Sequence, residues 1–202
     1  MLTASVETSV AKFEAFAFWL YTGKTPEFDR NPENLNIGPV FAAHAVGRDL
    51  GSVAFMDVIL DIAIDLTFNA AEHLSIAQIL EPFGGEFPRY SGGRKFAMDF
   101  VLLYPHLGEN KVSKDDYKDV YSIGDTEMVK DMCCAVSKAK GVVLAEDTVD
   151  PEYATMLLAG FLAEKSFHEP LVYREYPWQT DKCRYHRHTE LGLPCYSNQY
   201  RS

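Results

Sequence analysis

The stretch SVAFMDVILDIAIDLTFNAAEH, residues 52–73, is the most strongly patterned segment of the 202-residue chain. Apolar residues recur in it at intervals of three and four, which is typical of a helix with a buried face. Ser52 stands before the first of them in the position of an N-cap, and Gly51 favours the end of a preceding helix. The stretch therefore predicts a long helix that enters a hydrophobic core.

Acidic side chains mark one side of this predicted helix. Asp57, Asp61 and Asp65 are four residues apart, and Asn69 continues the series. Each step of four advances by only about 40° around the helix axis, so these residues form one stripe. Like charges at this spacing destabilise an isolated helix by roughly 0.2–0.5 kcal/mol per pair. The stripe predicts either a surface for a basic partner or, more simply, a solvated face.

Helical spacing continues along most of the chain. Further helices are predicted over residues 6–21, 38–50, 94–104 and 125–140, with a short helix ending near residue 81 and another entered at Asp150. Residues 142–145 are the only local candidate for a strand. From about Glu169 the pattern fades, and the remaining residues are predicted to be irregular. The pattern as a whole indicates a mainly α fold.

Composition and charge narrow the classes of partner. The chain is 47% hydrophobic, carries a formal net charge of -10 and has a pI of about 5.0. Nucleic acids and anionic membranes are bound by clustered Lys and Arg, and no such cluster is present. No secretory signal and no apolar run of about 18 residues occurs. Cysteine is sparse, and two of the four cysteines are adjacent. The expected location is intracellular, in the cytoplasm or nucleus.

A cysteine and histidine cluster stands near the end of the chain. Cys183, His186, His188 and Cys195 follow the spacing Cys-x2-His-x-His-x6-Cys. Two thiolates and two imidazoles are suitable ligands for a tetrahedral structural zinc, and a metal could order a segment that has few core-forming residues. The spacing departs from the usual zinc-finger patterns, and the alternative is a tail with incidental Cys and His. No other cofactor is expected.

Signals for catalysis are sparse. The sequence has no nucleophile elbow, zinc-protease motif, dinucleotide fingerprint or phosphate loop. His186 and His188, with Glu190 nearby, are the starting point for an alternative prediction, a small metal-dependent hydrolase, which would need further ligands from elsewhere. Cys133 and Cys134 are predicted to be buried, inert thiols in mid-helix. No catalytic residue is predicted.

Two segments together resemble the second half of a BTB (POZ) domain. Residues 13–24, FEAFAFWLYTGK, are similar to its Phe-rich helix and Tyr-Thr-Gly signature, and residues 41–63, FAAHAVGRDLGSVAFMDVILDIA, are similar to its closing helical pair. Residues 94–99 and the segment from Cys183 to Cys195 resemble regions that follow this domain in fungal members. The resemblance implies a truncated BTB-like helical domain over 1–74, a helical extension over 75–168 and an irregular tail over 169–202.

The same resemblance implies a function without catalysis. A fungal-type BTB protein would be a protein–protein interaction module, an adaptor for a cullin ubiquitin ligase or a transcription complex. The half of the domain that supplies its sheet and most of its homodimer surface has no counterpart here, so a homodimer is not expected. An inactive fragment is the remaining alternative. The candidate contact residues are Phe16, Trp19, Tyr21, Asp57, Asp61 and Asp65.

Overall fold

The computed structural model describes residues 3–24, 27–29, 31, 36–70, 82–85, 87, 91–103, 125–139, 150, 152, 154, 156–158 and 177–195. Its helices are Thr3–Thr22 (α1), Gly38–Asp49 (α2), Val53–Asn69 (α3), Gly92–Leu103 (α4), Thr126–Ala139 (α5), Pro177–Thr180 (α6) and Arg187–Leu191 (α7), with a 3-10 turn over Lys182–Tyr185. No strand occurs among these residues. The predicted mainly α class is confirmed. The short helix ending near residue 81 and the strand candidate at 142–145 lie outside the described residues.

Internal contacts divide the chain into two units. The first comprises residues 1–70 together with 181–202, and the second comprises residues 71–180. This grouping differs from the division into 1–74, 75–168 and 169–202 that the sequence suggested. The physical reason is that α7 packs against α3, so that the C-terminal residues belong with the first three helices.

Helix α3 is the buried centre of the first unit. Its side chains are buried at every position from Phe55 to Leu60, which covers all sides of a helix, and Phe55, Ile59 and Ile64 are fully buried. Each such apolar side chain contributes about 1.5–3 kcal/mol when it leaves water. The helices α2 and α7 pack directly against α3. Among the described residues, no helix is long and apolar enough to cross a membrane.

A close helical hairpin connects α2 to α3. Gly51 in the turn has a φ of +67°, a left-handed conformation that costs glycine little. At Gly47 a Cβ atom would lie 2.9 Å from Cδ1 of Phe55 and 3.0 Å from Cγ of Met56, so the two helices approach where a side chain is absent. Ser52 occupies the predicted N-cap position of α3 but makes no side-chain capping hydrogen bond.

Helix α1 contacts this hairpin through aromatic rings. The ring centroids of Phe16 and Phe55 lie 5.1 Å apart in an edge-to-face arrangement, and those of Trp19 and Phe55 lie 5.3 Å apart. Such pairs add about 0.5–1.5 kcal/mol to the burial of the rings themselves. Other large apolar side chains of α1 are exposed, namely Phe13, Phe18, Leu20 and Tyr21.

The second unit has an aromatic core of its own. Ring contacts join residues from the helical stretch 82–85, from position 87, from α4 and from α6, and all of them are buried: Phe83, Phe87, Phe96, Phe100 and Trp178. The helix predicted after Asp150 is present where the chain is described, since residues 152, 154 and 156–158 are helical. Asp150 Oδ1 accepts a hydrogen bond of 2.9 Å from the backbone N–H of Glu152 and so caps the start of that helix.

Arg94 connects the elements of the second unit. Its Nε donates to the carbonyl oxygen of Phe87 at 2.7 Å, and its Nη2 donates to the carbonyl oxygen of Gly84 at 2.9 Å and to Oδ2 of Asp125 at 2.6 Å. The side chain of Arg94 is 9% exposed, and its Nη1 lies 3.7 Å from Oδ2 of Asp131. This guanidinium therefore joins the carbonyls of Gly84 and Phe87 to Asp125 at the start of α5.

Candidate metal centre

Residues 181–195, called the C-terminal segment below, form a 3-10 turn and helix α7, where the sequence predicted an irregular tail. The remainder of the predicted tail is described only at residues 177–180, which form α6. In the 3-10 turn the backbone N–H of His186 donates to the carbonyl oxygen of Cys183 at 3.0 Å. The hydroxyl of Thr189 donates to the same carbonyl at 2.6 Å. Helix α7 is followed by its C-cap, Gly192, whose φ of +65° is the left-handed conformation that commonly ends a helix. These bonds fold the segment back on itself, so that residues distant in the tail come close together.

The four residues singled out in the sequence converge. One potential ligand atom from each of Cys183, His186, His188 and Cys195 lies within 4.8 Å of the others. The two Sγ atoms are 3.5 Å apart. Two sulfurs bonded to one tetrahedral zinc at about 2.3 Å would be about 3.8 Å apart, close to the observed separation. The arrangement can hold a metal ion with little movement of the ligands.

Burial distinguishes the histidines from the cysteines. The residues His186 and His188 are 2% and 5% exposed, and their ring centroids are 5.1 Å apart. Both cysteines are half-buried. The centre is therefore closed on the side of the imidazoles and reaches the surface on the side of the thiols.

Helix α3 supplies a carboxylate to each histidine. Oδ1 of Asp61 lies 2.8 Å from Nε2 of His186, and Oδ2 of Asp57 lies 2.6 Å from Nδ1 of His188. A carboxylate accepts a hydrogen bond from the protonated nitrogen of an imidazole. The other nitrogen of each ring is therefore the one available to a metal. One turn further along α3, Asp65 pairs with Nζ of Lys182 at 2.7 Å.

Asp57 also caps the helix that carries His188. Its Oδ1 accepts a hydrogen bond of 2.7 Å from the backbone N–H of Arg187, and its Oδ2 lies 3.3 Å from the backbone N–H of His188. The N-cap residue of α7, His186, makes no side-chain capping hydrogen bond of its own. The carboxylate from a helix 130 residues earlier in the chain takes that role, which explains how so short a helix forms.

At this centre the pKa values of one cysteine and one histidine, Cys183 and His186, are raised. Burial, followed by the hydrogen bond and charge of Cys195, raises the pKa of Cys183 to about 11. Burial by itself would lower the pKa of His186, but the hydrogen bond to Asp61 and the charges of Asp61 and Asp57 outweigh it and raise that pKa. Protons therefore compete with a metal for these ligands.

Part of the acidic stripe contacts other residues of the chain, whereas Asp65 and Asn69 are exposed, as the interpretation of a solvated face predicted. Asp57 is 1% exposed, so it is neither solvated nor open to another protein. The side chain of Asp61 is 18% exposed and that of Asp65 is 60% exposed, and both contact the C-terminal segment. Asp57 and Asp61 therefore face histidines of this segment, and Asp65 forms an ion pair with Lys182.

The candidate contact residues of α1 divide into two sets. Trp19 is 7% exposed, and Phe16 is half-buried against Phe55. Tyr21 is 87% exposed. The structure therefore leaves Tyr21 accessible and places Trp19 and much of Phe16 in the core of the first unit.

Other sequence candidates lie apart from the centre. Glu190, the carboxylate considered for a hydrolase, is exposed and does not join the four converging residues. Cys133 in α5 is fully buried, and burial followed by its neighbour Cys134 raises its pKa, in accord with an inert thiol. Cys134 is half-buried.

The sequence did not predict that the acidic stripe of α3 contacts the cysteine and histidine cluster. Both sets of residues were recognised, but each was interpreted by itself. A signal was present in their complementarity: three carboxylates at four-residue spacing match a segment in which Lys182 and His186 are also four apart. The partners are more than 100 residues apart in the chain, beyond the reach of any local pattern.

No protein-family model, curated protein or solved structure matches the chain, so the resemblance to BTB domains stays a prediction.

Proposed function

We propose that this protein holds one structural zinc ion through Cys183, His186, His188 and Cys195, and that the metal holds the C-terminal segment in the conformation that packs against helix α3. The observation that carries the proposal is the convergence of two sulfurs and two imidazoles within 4.8 Å. The only α-helix among residues 181–195 of this segment is five residues long, and a bound metal adds folding free energy to such a segment directly.

The donor set favours zinc among the common metals. Thiolate ligands select soft or borderline ions, and a tetrahedral set of two sulfurs and two nitrogens is typical of zinc. Magnesium and calcium prefer oxygen ligands, which the four converging residues do not provide. The Sγ–Sγ separation of 3.5 Å is close to the spacing that zinc requires.

A structural role is favoured over a hydrolytic one. Four protein ligands complete a tetrahedron, whereas a catalytic zinc keeps a position for water or substrate. The two aspartates bond to the histidines and not to the metal position. Nothing in this geometry supports the metal-dependent hydrolase that was the alternative from the sequence.

Metal content tests the proposal directly. Purified protein should contain about one zinc per chain by mass spectrometry of the acid-released metal, and a Cys183→Ser/Cys195→Ser variant should lose it. A Cys134→Ser variant is the matched control, because it removes a half-buried thiol from the other unit and should keep the metal. Zinc well below one per chain in the wild-type protein, after supplementation during expression, would contradict the proposal.

We also propose that the first unit serves as a protein–protein interaction module of the BTB type. The sequence resemblance over residues 13–66 supports this role, and so do the exposed apolar side chains of α1. Leu20 is 58% exposed and Tyr21 is 87% exposed, and side chains of this kind are frequent in protein interfaces. A cullin or a transcription regulator is the partner that the resemblance implies.

Direct binding tests this second proposal. A purified cullin amino-terminal region, and a BTB-binding transcription regulator in parallel, should bind the wild-type chain. The Leu20→Ser/Tyr21→Ser variant should bind at least tenfold more weakly. Leu50→Ser is the control, because Leu50 is 51% exposed but lies outside α1. Binding to neither protein, or equal loss in the control, would overturn the proposal.

A further inference from the structure

Two aspartates of α3 contact the metal cluster without belonging to it. They lie one helical turn apart and bond to opposite kinds of imidazole nitrogen: Asp61 to Nε2 of His186, and Asp57 to Nδ1 of His188. The opposite choice of nitrogen is a specific feature that a mere packing contact does not require.

We propose that Asp57 and Asp61 are the positioning residues of the metal centre, fixing His188 to coordinate through Nε2 and His186 to coordinate through Nδ1. This inference rests on the proposed zinc function and specifies how the site is built. It makes the centre a joint product of α3 and the C-terminal segment, although all four ligands come from the segment.

The physical basis is the tautomer of each ring. A neutral imidazole carries one proton, and the carboxylate determines which nitrogen keeps it. The lone pair of the other nitrogen then faces the metal, and the hydrogen bond also makes that nitrogen a stronger donor. Without the aspartates each ring could rotate or exchange tautomers, and the metal would have to select the correct form from a mixture.

The two carboxylates are themselves held in place to different degrees. Asp57 is 1% exposed, and its oxygens also accept the backbone N–H groups of Arg187 and His188. The side chain of Asp61 is 18% exposed and is held by the buried helix on which it lies. We therefore expect loss of Asp57 to have the larger effect on the metal centre.

The affinity for zinc is the first test, measured in competition with a chromophoric zinc chelator. Outer partners of metal-bound histidines typically contribute about 10- to 100-fold in affinity. Asp57→Asn should be weakened by about 100-fold and Asp61→Asn by about 10-fold. Asp65→Asn is the matched control, because Asp65 lies on the same stripe but bonds to Lys182 and to no ligand; its affinity should change by less than about twofold.

The second test needs no substitution. Long-range ¹H–¹⁵N spectra of the zinc-loaded wild-type protein should show His186 bound through Nδ1 with a proton on Nε2, and His188 bound through Nε2 with a proton on Nδ1. The same nitrogen bound in both rings would overturn the inference, and so would equal weakening in all three aspartate variants. A wild-type protein that takes up no zinc would refute the proposed function instead, so the two failures are distinguishable.

Discussion

The carboxylate of Asp57 shows how a single residue can determine a local fold. A carboxylate that is 1% exposed would be strongly destabilising if it lacked partners. Here it lies within reach of one imidazole N–H and two backbone N–H groups, all from residues more than 100 positions later. The stability of the C-terminal segment and the burial of this charge are therefore coupled: neither is favourable without the other.

The pH dependence of the centre follows from the raised pKa values of its ligands. Thiols with a pKa such as the value of about 11 for Cys183 are protonated at pH 7, so zinc must displace their protons. We predict that zinc binding at pH 7 releases at least two protons per ion, from the thiols and in part from His186, and that zinc affinity falls as pH is lowered from 8 to 6. Calorimetry in buffers of different ionisation enthalpy measures the released protons, and binding without proton release would contradict the assignment of the thiols.

The metal-free protein should respond to pH in the opposite direction. The pKa of His186 is higher in the folded chain than the value of about 6.5 for a histidine in an unfolded chain. The pairing of His186 with Asp61 therefore stabilises the metal-free fold fully below about pH 6.5, and this contribution is lost as pH rises through the folded pKa. In urea titrations, the free energy of unfolding contributed by this pair in chelator-treated protein should be larger at pH 6 than at pH 8. In an Asp61→Asn variant the difference between the two pH values should be smaller.

The loss of Arg94 should strongly destabilise the second unit. Its removal would leave the Asp125 and Asp131 carboxylates without this guanidinium and two backbone carbonyls without their donor. Breaking a buried pair of this kind typically costs about 3–5 kcal/mol. For Arg94→Met we predict a decrease in the free energy of unfolding near the lower end of this range. Unfolding is followed by the fluorescence of Trp178 in a Trp19→Phe background. The exposed Lys95→Met should change stability by less than about 0.5 kcal/mol, and an equal loss there would argue against the buried pair.

At the scale of the elements, sequence periodicity located the long helices well. Helix α1 was predicted over residues 6–21 and is Thr3–Thr22; α5 was predicted over residues 125–140 and is Thr126–Ala139. These helices carry their own signal, because apolar spacing along a helix reports which face is buried. The end of α2 before Gly51 could also be predicted, because the positive φ at this position favours glycine.

Helix α7 could not be predicted from the same kind of signal. It has only five residues, and the group that caps it is on α3. A helix this short is not stable by itself, so its formation depends on a tertiary contact that the local sequence does not contain. The same reason explains the candidate site: the four ligands were predicted from their chemistry, whereas Asp57 and Asp61 were recognised as a stripe but not as partners of the ligands.

The contact between α2 and α3 depends on the absence of a side chain at Gly47. A larger residue there meets Phe55 and Met56 at 3.0 Å or less, and overpacking of a core typically costs about 1–3 kcal/mol. For Gly47→Val we predict a decrease in the free energy of unfolding within this range. Unfolding is followed by the fluorescence of Trp19 in a Trp178→Phe background. Ala45→Val is the control on the same helix, at a half-buried position. A loss at Ala45 as large as that at Gly47 would indicate helix propensity and not packing as the cause.

At the scale of the whole molecule, the metal centre would stabilise the contact between the two chain segments of the first unit. All four ligands and both aspartates belong to the unit formed by residues 1–70 and 181–202. We predict that a chelator increases hydrogen exchange in residues 181–195 and along α3, while α5, which contributes no ligand, serves as the internal reference. Unchanged exchange in the C-terminal segment after the metal is removed would show that its fold is independent of the metal.

The first coordination shell of the bound metal is the most direct measurement of the central claim. X-ray absorption at the zinc edge of the purified protein should give two sulfurs at about 2.3 Å and two nitrogens at about 2.0 Å, as a closed site of two cysteines and two histidines requires. A shell of nitrogen and oxygen without sulfur would contradict the account, because the zinc would then be bound elsewhere than at Cys183 and Cys195.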